Sequence, residues 1–287
     1  MRHVFIINPK AGNGKSLKIS KIIDSFCKEK KVDYKIIYTT KPNEAEQIIQ
    51  GLREHNIIYS VGGDGTLKEV VNGVAGTNNF LSVIPCGSGN DFEKSLNTLS
   101  KDIHSIDLGM INSEYFINIA SLGIEAEIAN YANLMKQTNF PIPSVYNASI
   151  LSGLCNREDI NVIINGFNHK LTLMAICNGR YYGHGFKIAP DARLNDGLFD
   201  VYMVDSIKTS QIPGLFLKLI QGKHEKSEYV KKFSCYSLRV ESPKELICNI
   251  DGEIIRDNKF NFELIEGAIR VDNRDIIGIK QYIKTRY

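Results

Sequence analysis

The chain has 287 residues, of which 43% are hydrophobic and 23% are charged, and its formal net charge is +3 at pH 7. This composition is that of an ordinary globular protein long enough for two domains, and the small net charge excludes a dedicated nucleic-acid-binding protein. No apolar run reaches the length of a membrane span, and the opening Met-Arg-His-Val-Phe leads directly into a strand, so neither a spanning segment nor an export signal is visible.

The first predicted strand, Val4 to Ile7, ends at the loop Asn8-Pro9-Lys10-Ala11-Gly12-Asn13-Gly14-Lys15-Ser16. This loop resembles a P-loop, but Pro9 stands where that motif requires glycine, so we predict a phosphate-proximal loop without a Walker motif. Lys15 is a candidate phosphate contact within it. A helix follows, because apolar residues recur at helical spacing at Ile19, Ile22, Ile23 and Phe26.

The second predicted strand, Tyr34 to Tyr38, ends at Thr39-Thr40. Asn43 followed by Glu46 predicts a capped helix start, and the helix continues through an apolar stripe at Ala45, Ile48, Ile49 and Leu52.

The third strand leads into the most informative turn of the chain. The β-branched run at residues 57 to 61 stops at Gly62-Gly63-Asp64-Gly65-Thr66, after which helical spacing resumes at Leu67. A strand, a glycine turn and a helix start let backbone N–H groups approach an anion at the helix N-terminus. A carboxylate at Asp64 would repel phosphate unless a divalent cation lies between them. The turn therefore predicts a metal-bridged phosphate site, and a tight turn with an exposed Asp64 is the alternative.

A fourth strand, Leu81 to Ile84, ends at the turn Pro85-Cys86-Gly87-Ser88-Gly89-Asn90-Asp91-Phe92. Strands alternating with helices predict a parallel sheet with helices on both faces, whose ligands collect at the carboxyl ends of the strands. Asn8, Thr40, the glycine turn and Ser88 all fall at such ends.

The pattern changes after Asp107, where short β-rich runs replace the alternation. Residues 106 to 111 and 115 to 119 predict a hairpin, and Asn165-Gly166 predicts another. A helix at Glu125 to Lys136 and a link containing Pro141 and Pro143 separate them, and Asn195-Asp196-Gly197 and Glu266-Gly267 are predicted turns. We predict an antiparallel β-sandwich here.

Two further segments of this second half carry chemistry. An amphipathic helix at residues 212 to 220 is expected to pack against the sheet, with contact to a membrane as the alternative. Asn249-Ile250-Asp251-Gly252-Glu253 closes a predicted strand, and in an extended segment the carboxylates of Asp251 and Glu253 would point to opposite sides. A β-turn with charged surface residues is the alternative for Asp251-Gly252-Glu253.

With these motifs placed, the chain resembles bacterial soluble lipid kinases of the diacylglycerol kinase catalytic-domain family, which is related to the sphingosine and ceramide kinases. The resemblance covers almost the whole chain and rests on an ordered set of motifs, each weak alone. They are Asn8-Pro9-x-x-Gly12, Gly62 to Thr66, Pro85 to Phe92, Asp107-x-Gly109, Pro190-Asp191-Ala192-x-x-x-Asp196-Gly197 and Asp251-Gly252-Glu253.

The resemblance implies an α/β domain like that of NAD kinase and phosphofructokinase at residues 1–120, a β-sandwich at 121–269, and residues 270–287 packing back onto the first domain. ATP would lie in the interdomain cleft. The implied ATP contacts are Asn8, Thr40, Gly62, Gly63, Asp64, Gly65, Thr66, Leu67, Lys68 and Ser88. Ser88 keeps the hydroxyl of the commoner threonine, whereas Lys68 replaces a frequent asparagine.

The same resemblance implies Mg²⁺ near the phosphates, held through Asp64 and Asp107, with some of the contacts through water. Glu253 would be the general base and Asp251 its neighbour. Some relatives hold a second, structural Mg²⁺ at the positions of Arg193, Asp196 and Leu198, where Arg193 and Leu198 offer only backbone carbonyls.

The implied activity is ATP- and Mg²⁺-dependent phosphorylation of a lipid hydroxyl, with diacylglycerol giving phosphatidic acid as the default. Phosphatidylglycerol, a monoacylglycerol and a sphingoid base stay open as acceptors. Two alternatives are a soluble-metabolite kinase of the NAD kinase type and a non-catalytic nucleotide-binding regulator. Retention of Asp64, Asp107 and Glu253 together argues against the regulator.

The expected location is the cytoplasm with peripheral membrane association, in part through basic residues such as Lys15 and Arg157. The six cysteines form no CxxC pair and the six histidines show no metal-ligand spacing, which favours reduced, structural thiols over a zinc site. The expected partners are ATP and a lipid at the membrane surface, without nucleic acid, and a homodimer stays open.

Overall fold

The computed structural model describes residues 1–52, 55–87, 89–124, 126, 158–183 and 185–286. Four of the sequence predictions concern residues outside these ranges. Ser88, Arg157 and the link with Pro141 and Pro143 lie outside the described residues, as does the predicted helix from Glu125 to Lys136 except for Ala126.

The first half of the chain forms the predicted parallel sheet. Its strands lie in the order β2-β1-β3-β4, with neighbouring strands paired in parallel. Every residue of β3 is buried, as expected for a strand covered on both faces. The bounds are β1 Arg2–Ile7, β2 Tyr34–Tyr38, β3 Asn56–Gly62 and β4 Phe80–Pro85.

Helices cover both faces of this sheet. The α-helices are α1 Lys15–Glu29, α2 Glu44–Gln50, α3 Asp64–Val74, α4 Asp91–Leu96, α5 Ile212–Ile220 and α6 Ile279–Arg286. On one face α1 packs with α6, where the rings of Phe26 and Tyr282 lie 4.7 Å apart. On the other face the apolar sides of α2, α3 and α4 share one core. The last residues of the chain thus pack onto the first domain.

The predicted cap of α2 is wrong. Asn43 precedes the helix but has a φ of 60°, and its side chain makes no capping hydrogen bond. In that left-handed conformation the amide is not presented to the first N–H groups of the helix. Glu44 instead accepts hydrogen bonds from Thr40, at 2.5 Å from the backbone N and 3.0 Å from Oγ1.

The second half is antiparallel and β-rich, so the predicted fold class is confirmed. The Asn165-Gly166 hairpin joins β8 and β9 as expected, and β5 pairs with β6. The strands are β5 Ile103–Ile111, β6 Glu114–Phe116, β7 Ile119–Gly123, β8 Ile160–Ile164, β9 Phe167–Cys177, β10 Tyr181–Tyr182, β11 Phe186–Lys187, β12 Phe199–Asp205, β13 Val230–Cys235, β14 Ser237–Ile250 and β15 Glu253–Asp272. Its core includes Phe116, Phe199, Phe260 and Phe262.

The long strand β15 connects the two halves. It pairs antiparallel with β14 and β5, and its end pairs parallel with β4 through Arg270 opposite Phe80. The prediction of a turn at Glu266-Gly267 is wrong, because both residues lie inside β15. The register with β5 shifts between Ile265 and Ile269, and Gly267 has a φ of 60°, so the glycine serves a bulge.

None of the helices in the described ranges combines the length and the apolar character required to cross a bilayer.

Candidate active site

Three loops meet at the carboxyl ends of β1, β3 and β4, in contact through their backbones. Gly12 has a φ of 58°, and a Cβ added there would lie 2.1 Å from the carbonyl oxygen of Cys86. A Cβ added to Gly87 would lie 2.8 Å from the Cα of Gly63. Side chains are excluded from these junctions, so the glycines of the three motifs build one backbone-lined edge.

Asn8 shapes the first of these loops. Its side-chain Oδ1 accepts a hydrogen bond from Lys10 N at 3.0 Å, and its carbonyl oxygen accepts one from the Ser16 hydroxyl at 2.6 Å. Lys15 is half-buried nearby. Burial raises the pKa of the Cys86 thiol to about 11, and the positive charge of Lys15 opposes that rise. Asn8 and Lys15 therefore lie at the predicted edge. Thr40 is exposed at the end of β2 and bonded to Glu44.

The helix α3 begins within the Gly-Gly-Asp-Gly-Thr motif. Gly63 is its N-cap, and Leu67 N donates the first helical hydrogen bond to Gly63 O at 3.0 Å. Thr66 and Leu67 are buried, so of the predicted nucleotide contacts these two offer little besides backbone. The first N–H groups and the positive end of the helix dipole suit an anion.

A shallow pocket lies beside this helix start, lined in part by Gly63, Asp64, Leu67 and Asn90. A more open hollow of about 610 Å³ lies at the amino ends of β1 and β3, lined by residues that include Arg2 and Asn56. That hollow is at the opposite edge of the sheet from the glycine turns, so the shallow pocket is the relevant one.

Asp64 and Asp91 converge over Gly89. A Cβ added to Gly89 would lie 2.9 Å from Asp64 Oδ2 and 3.7 Å from Asp91 Oδ2. Asp91 also accepts a hydrogen bond from Lys94 Nζ at 3.0 Å. The sequence analysis did not predict that Asp91 lies near Asp64. Asp91 is the first residue of α4 and follows Asn90, which has a left-handed conformation, so its place at a helix start could have indicated a position at the same edge of the sheet.

Asp107 occupies a different level of the sheet from Asp64. Ser105 of β5 pairs with Arg270, which pairs with Phe80 at the start of β4. Because β5 runs antiparallel to β15 and β15 runs parallel to β4, Asp107 lies toward the amino end of β4. Asp64, in contrast, follows the carboxyl end of β3. Asp91 lies near Asp64 over Gly89, and Glu93 lines the same pocket as Asp64, whereas the shared ion at Asp64 and Asp107 stays a prediction.

The buried carboxylate of Asp107 joins two distant backbone segments. It accepts hydrogen bonds from Gly197 N and Gly267 N, each at 2.8 Å, while Asp107 N donates to Leu194 O at 2.7 Å. These bonds fix the loop that holds Arg193, Asp196 and Leu198.

Asp196 lies in that loop and accepts a hydrogen bond from Leu198 N at 3.2 Å. Burial raises the pKa of Asp196, and the charges of Asp200 and Asp107 raise it further. The negative charges of Asp200 and Asp107 near Asp196 are consistent with a cation at this loop, and the second Mg²⁺ position stays a prediction.

The Asp251-Gly252 pair forms the tight turn between β14 and β15. Its φ values of 52° and 98° show that the segment is not extended and that the alternative, a β-turn, is the observed conformation. The Asp251 carboxylate accepts backbone hydrogen bonds from Ile117, Asn118 and Ile119 at 2.6, 3.1 and 3.0 Å. Burial nevertheless raises its pKa to about 6. Asp251 therefore fixes the turn to the segment before β7.

Glu253, the first residue of β15, points elsewhere. Its carboxylate forms an ion pair and hydrogen bond with Lys68 Nζ, across 185 positions of sequence. The Lys68 side chain is 8% exposed and that of Glu253 is 59% exposed. Lys68 lies one helical turn after Asp64, so this contact brings a solvent-accessible carboxylate of the second half to the glycine turn of the first. The sequence predicted the residues but not their contact.

Comparisons with known proteins cover both halves of the chain. Residues 2–114 match the family described as diacylglycerol kinase catalytic domain. Residues 118–272 match the family described as YegS C-terminal NAD kinase beta sandwich-like domain.

Among curated relatives, a diacylglycerol kinase of Staphylococcus epidermidis is 30% identical over 292 residues, covering 93% of this chain and 90% of the relative. The diacylglycerol kinase of Bacillus subtilis is 30% identical over 220 residues, covering 70% and 72%. A solved structure from Bacillus anthracis str. Sterne matches with a TM-score of 0.73 at 23% identity, covering 94% of this chain and 96% of that one, which shows the shared fold.

Proposed function

Because the chain belongs to the diacylglycerol kinase family and is a lipid kinase, we propose that it transfers the γ-phosphate of ATP to the hydroxyl of diacylglycerol, giving phosphatidic acid. The contact between Lys68 and Glu253 is the observation that carries this proposal. Glu253, the candidate base, contacts Lys68 one helical turn after the glycine turn, which supports transfer between two substrates bound on either side of that contact.

The nucleotide phosphates would bind at the backbone-lined edge. The start of α3 presents its first N–H groups and the positive end of its dipole, and the adjacent loops contain glycines where a side chain would fill the space. Lys15, at the start of α1, and Lys68, in the first turns of α3, bring positive charge to this edge. The proposed orientation directs the γ-phosphate toward Lys68 and Glu253.

The residues present fit Mg²⁺. Asp64 and Asp91 both present a carboxylate oxygen within 3.7 Å of the position of a Cβ on Gly89, and Mg²⁺ is commonly bound by one or two carboxylates together with substrate phosphates. When bound, the ion would neutralise charge on the phosphates. Lys94 holds the second oxygen of Asp91, which fixes the orientation of that carboxylate.

In the proposed reaction the acceptor oxygen attacks the γ-phosphorus as the bond from that phosphorus to the leaving ADP oxygen breaks. The proton of the acceptor hydroxyl passes to Glu253. Its exposed carboxylate is available to an incoming substrate, and Lys68 holds it in position before the substrate arrives. Asp251 keeps the turn that carries Glu253 fixed to the segment at 117–119.

We place the enzyme in the cytoplasm, acting on lipid at the membrane surface. The test is incubation with [γ-³²P]ATP and a lipid extract, followed by identification of the labelled product. Mg²⁺-dependent labelling of phosphatidic acid supports the proposal, and NAD⁺ and glycerol serve as alternative acceptors. Labelling that persists in EDTA, or that appears in NADP⁺ or glycerol phosphate and not in lipid, overturns it.

A further inference from the structure

The helix α5 is apolar and poorly covered. Its sequence, Ile-Pro-Gly-Leu-Phe-Leu-Lys-Leu-Ile, contains one charged residue, and none of its residues is buried. Phe216, Leu217 and Ile220 are 40%, 55% and 55% exposed. The expectation that this face packs against the main sheet is wrong. The helix contacts the small β10–β11 hairpin instead, where the rings of Phe216 and Phe186 meet edge to face at 5.4 Å.

The charged side chains within α5 and in the segments that lead into and out of it are lysines, and the nearest acidic residues in sequence are Asp205 and Glu225. Residues 206 to 224 include Lys208, Lys218 and Lys223 but no aspartate or glutamate. Lysines therefore lie before, within and after the apolar helix. Exposed apolar side chains bordered by lysines match the surface of a bilayer, where acyl chains lie beneath anionic headgroups.

The position of α5 connects it to the candidate active site. The β10–β11 hairpin that it contacts carries Tyr182, whose hydroxyl is hydrogen-bonded by Asn249 Nδ2 next to the Asp251 turn. On the other side, a Cβ added to Gly185 would lie 2.9 Å from Lys94 Nζ, and Lys94 pairs with Asp91. A membrane or other surface bound by α5 would thus lie near the Asp251 turn that precedes Glu253 and near Asp91.

We propose that α5 is the element that docks the protein on a bilayer containing anionic lipid, with Phe216, Leu217 and Ile220 entering the acyl-chain boundary and the flanking lysines contacting headgroups. This inference rests on the proposed function, because it assigns the surface that brings a membrane-borne acceptor to Glu253. A second copy of the chain fits less well. Two such helices would bring like charges together, and a helix of nine residues is only about 14 Å long, too short for a stable interface by itself.

The absence of tryptophan from the chain allows a direct test. Leu217→Trp introduces a single reporter on α5, and Tyr236→Trp is the matched control, because Tyr236 is 71% exposed at the junction of β13 and β14. On vesicles of phosphatidylglycerol and phosphatidylcholine with brominated acyl chains, we expect a blue shift and strong quenching at position 217 and neither at position 236.

The lysines and the apolar residues are tested separately. Lys218→Gln with Lys223→Gln should weaken binding to these vesicles by about 25-fold, because each cation near an anionic surface contributes about fivefold. Leu217→Glu with Ile220→Glu should abolish vesicle binding and phosphorylation of vesicle-borne diacylglycerol. The same variant should retain its melting temperature and its activity on monomeric dihexanoylglycerol.

The outcomes separate the two proposals. Quenching at position 217 without lipid phosphorylation supports docking and overturns the proposed function. Phosphorylation of vesicle lipid with a tryptophan at 217 that stays unquenched overturns docking and leaves the function intact. A tryptophan at 217 already shielded from acrylamide in vesicle-free protein, or a dimer lost in Leu217→Glu, shows that protein covers the helix and also overturns docking.

Discussion

Two Asp-Gly turns of this lipid kinase use their carboxylates in opposite ways. Asp64 precedes Gly65 at the start of a helix, and its side chain is directed to the space above Gly89, near Asp91. Asp251 precedes Gly252 in a tight hairpin turn, and three backbone N–H groups surround its carboxylate. The same dipeptide therefore serves a candidate ligand site in one domain and a structural clamp in the other. The surrounding backbone decides which.

The neighbour of each turn completes the contrast. Lys68, one helical turn after Asp64, is buried, whereas Glu253, two residues after Asp251, is exposed, and the two side chains pair. We infer a division of labour in which the first turn holds the nucleotide and the second presents the base. The predictions below test each part of that division, from the largest effect to the smallest.

Glu253→Gln should lower kcat by about 10²–10⁴-fold, the usual contribution of a general base. The amide keeps the size and the hydrogen-bonding reach of the side chain but cannot accept the proton. Steady-state assays with diacylglycerol in mixed micelles measure this effect, and the melting temperature should stay within a degree or so of wild type, because the amide oxygen can still accept the hydrogen bond from Lys68. Near-normal turnover would remove Glu253 from the role of base and make Asp91 the next candidate.

Asp64→Asn should weaken Mg²⁺-dependent nucleotide binding by about 30-fold or more, because loss of a charged partner typically removes about 2 kcal/mol. Titration calorimetry with a non-hydrolysable ATP analogue, with and without Mg²⁺, measures it. Asp205→Asn is the matched control, since Asp205 pairs only with Lys231 among the contacts described, at 2.7 Å on the surface. Equal affinity in the Asp64 variant and the control would exclude Asp64 from the phosphate site.

Lys68→Met should lower kcat by about tenfold, and Lys68→Gln by less, because the ammonium holds the exposed Glu253 side chain in place. The pair of variants distinguishes loss of positioning from loss of packing, since methionine keeps the length of the buried stem. Kinetics for both variants and for Lys231→Gln as a surface control measure the effect. If Lys68→Met turned over at the wild-type rate, the ion pair would have no part in positioning the base.

Asp251→Asn should affect stability more than chemistry, and in a pH-dependent manner. Burial raises the pKa of Asp251 to about 6 in the folded protein, above its ordinary value. Between these two values the folded state binds more protons than the unfolded state, so this carboxyl's contribution to stability falls as pH rises through that window. The wild-type free energy of unfolding, relative to Asp251→Asn, should fall by about 1–3 kcal/mol from pH 4 to pH 7. Urea denaturation at both values measures it, and a difference that rose with pH would contradict the assignment.

The parts of the site that follow directly from local patterns were predictable. Each glycine turn of the first domain comes after a buried strand, so its place at the carboxyl edge of a parallel sheet followed from the strand before it. The family resemblance added the roles of Asp64 and Glu253. Those roles remain proposals, whereas the fold and the lipid kinase family are established.

The parts that depend on long-range packing were not predictable. The contact of Lys68 with Glu253 joins residues 185 positions apart, and the convergence of Asp64 with Asp91 depends on how two loops meet over Gly89. The helix cap predicted at Asn43 and the extended conformation considered for Asp251 were wrong. Both residues have positive φ values, and local sequence preference does not reveal which residue adopts a left-handed conformation. The exposure of α5 could not be predicted either, because an apolar stripe has the same sequence whether the helix packs on a sheet or faces solvent.

The most direct test of the division of labour measures two quantities in the same two variants. These are the dissociation constant for Mg²⁺-ATP and the single-turnover rate of diacylglycerol phosphorylation at saturating nucleotide, in Asp64→Asn and Glu253→Gln. We predict weakened nucleotide binding in Asp64→Asn alone, and for Glu253→Gln a wild-type dissociation constant with a rate lowered by about 10²-fold or more. A Glu253→Gln enzyme that binds nucleotide poorly yet transfers phosphate at the normal rate once saturated would contradict the account.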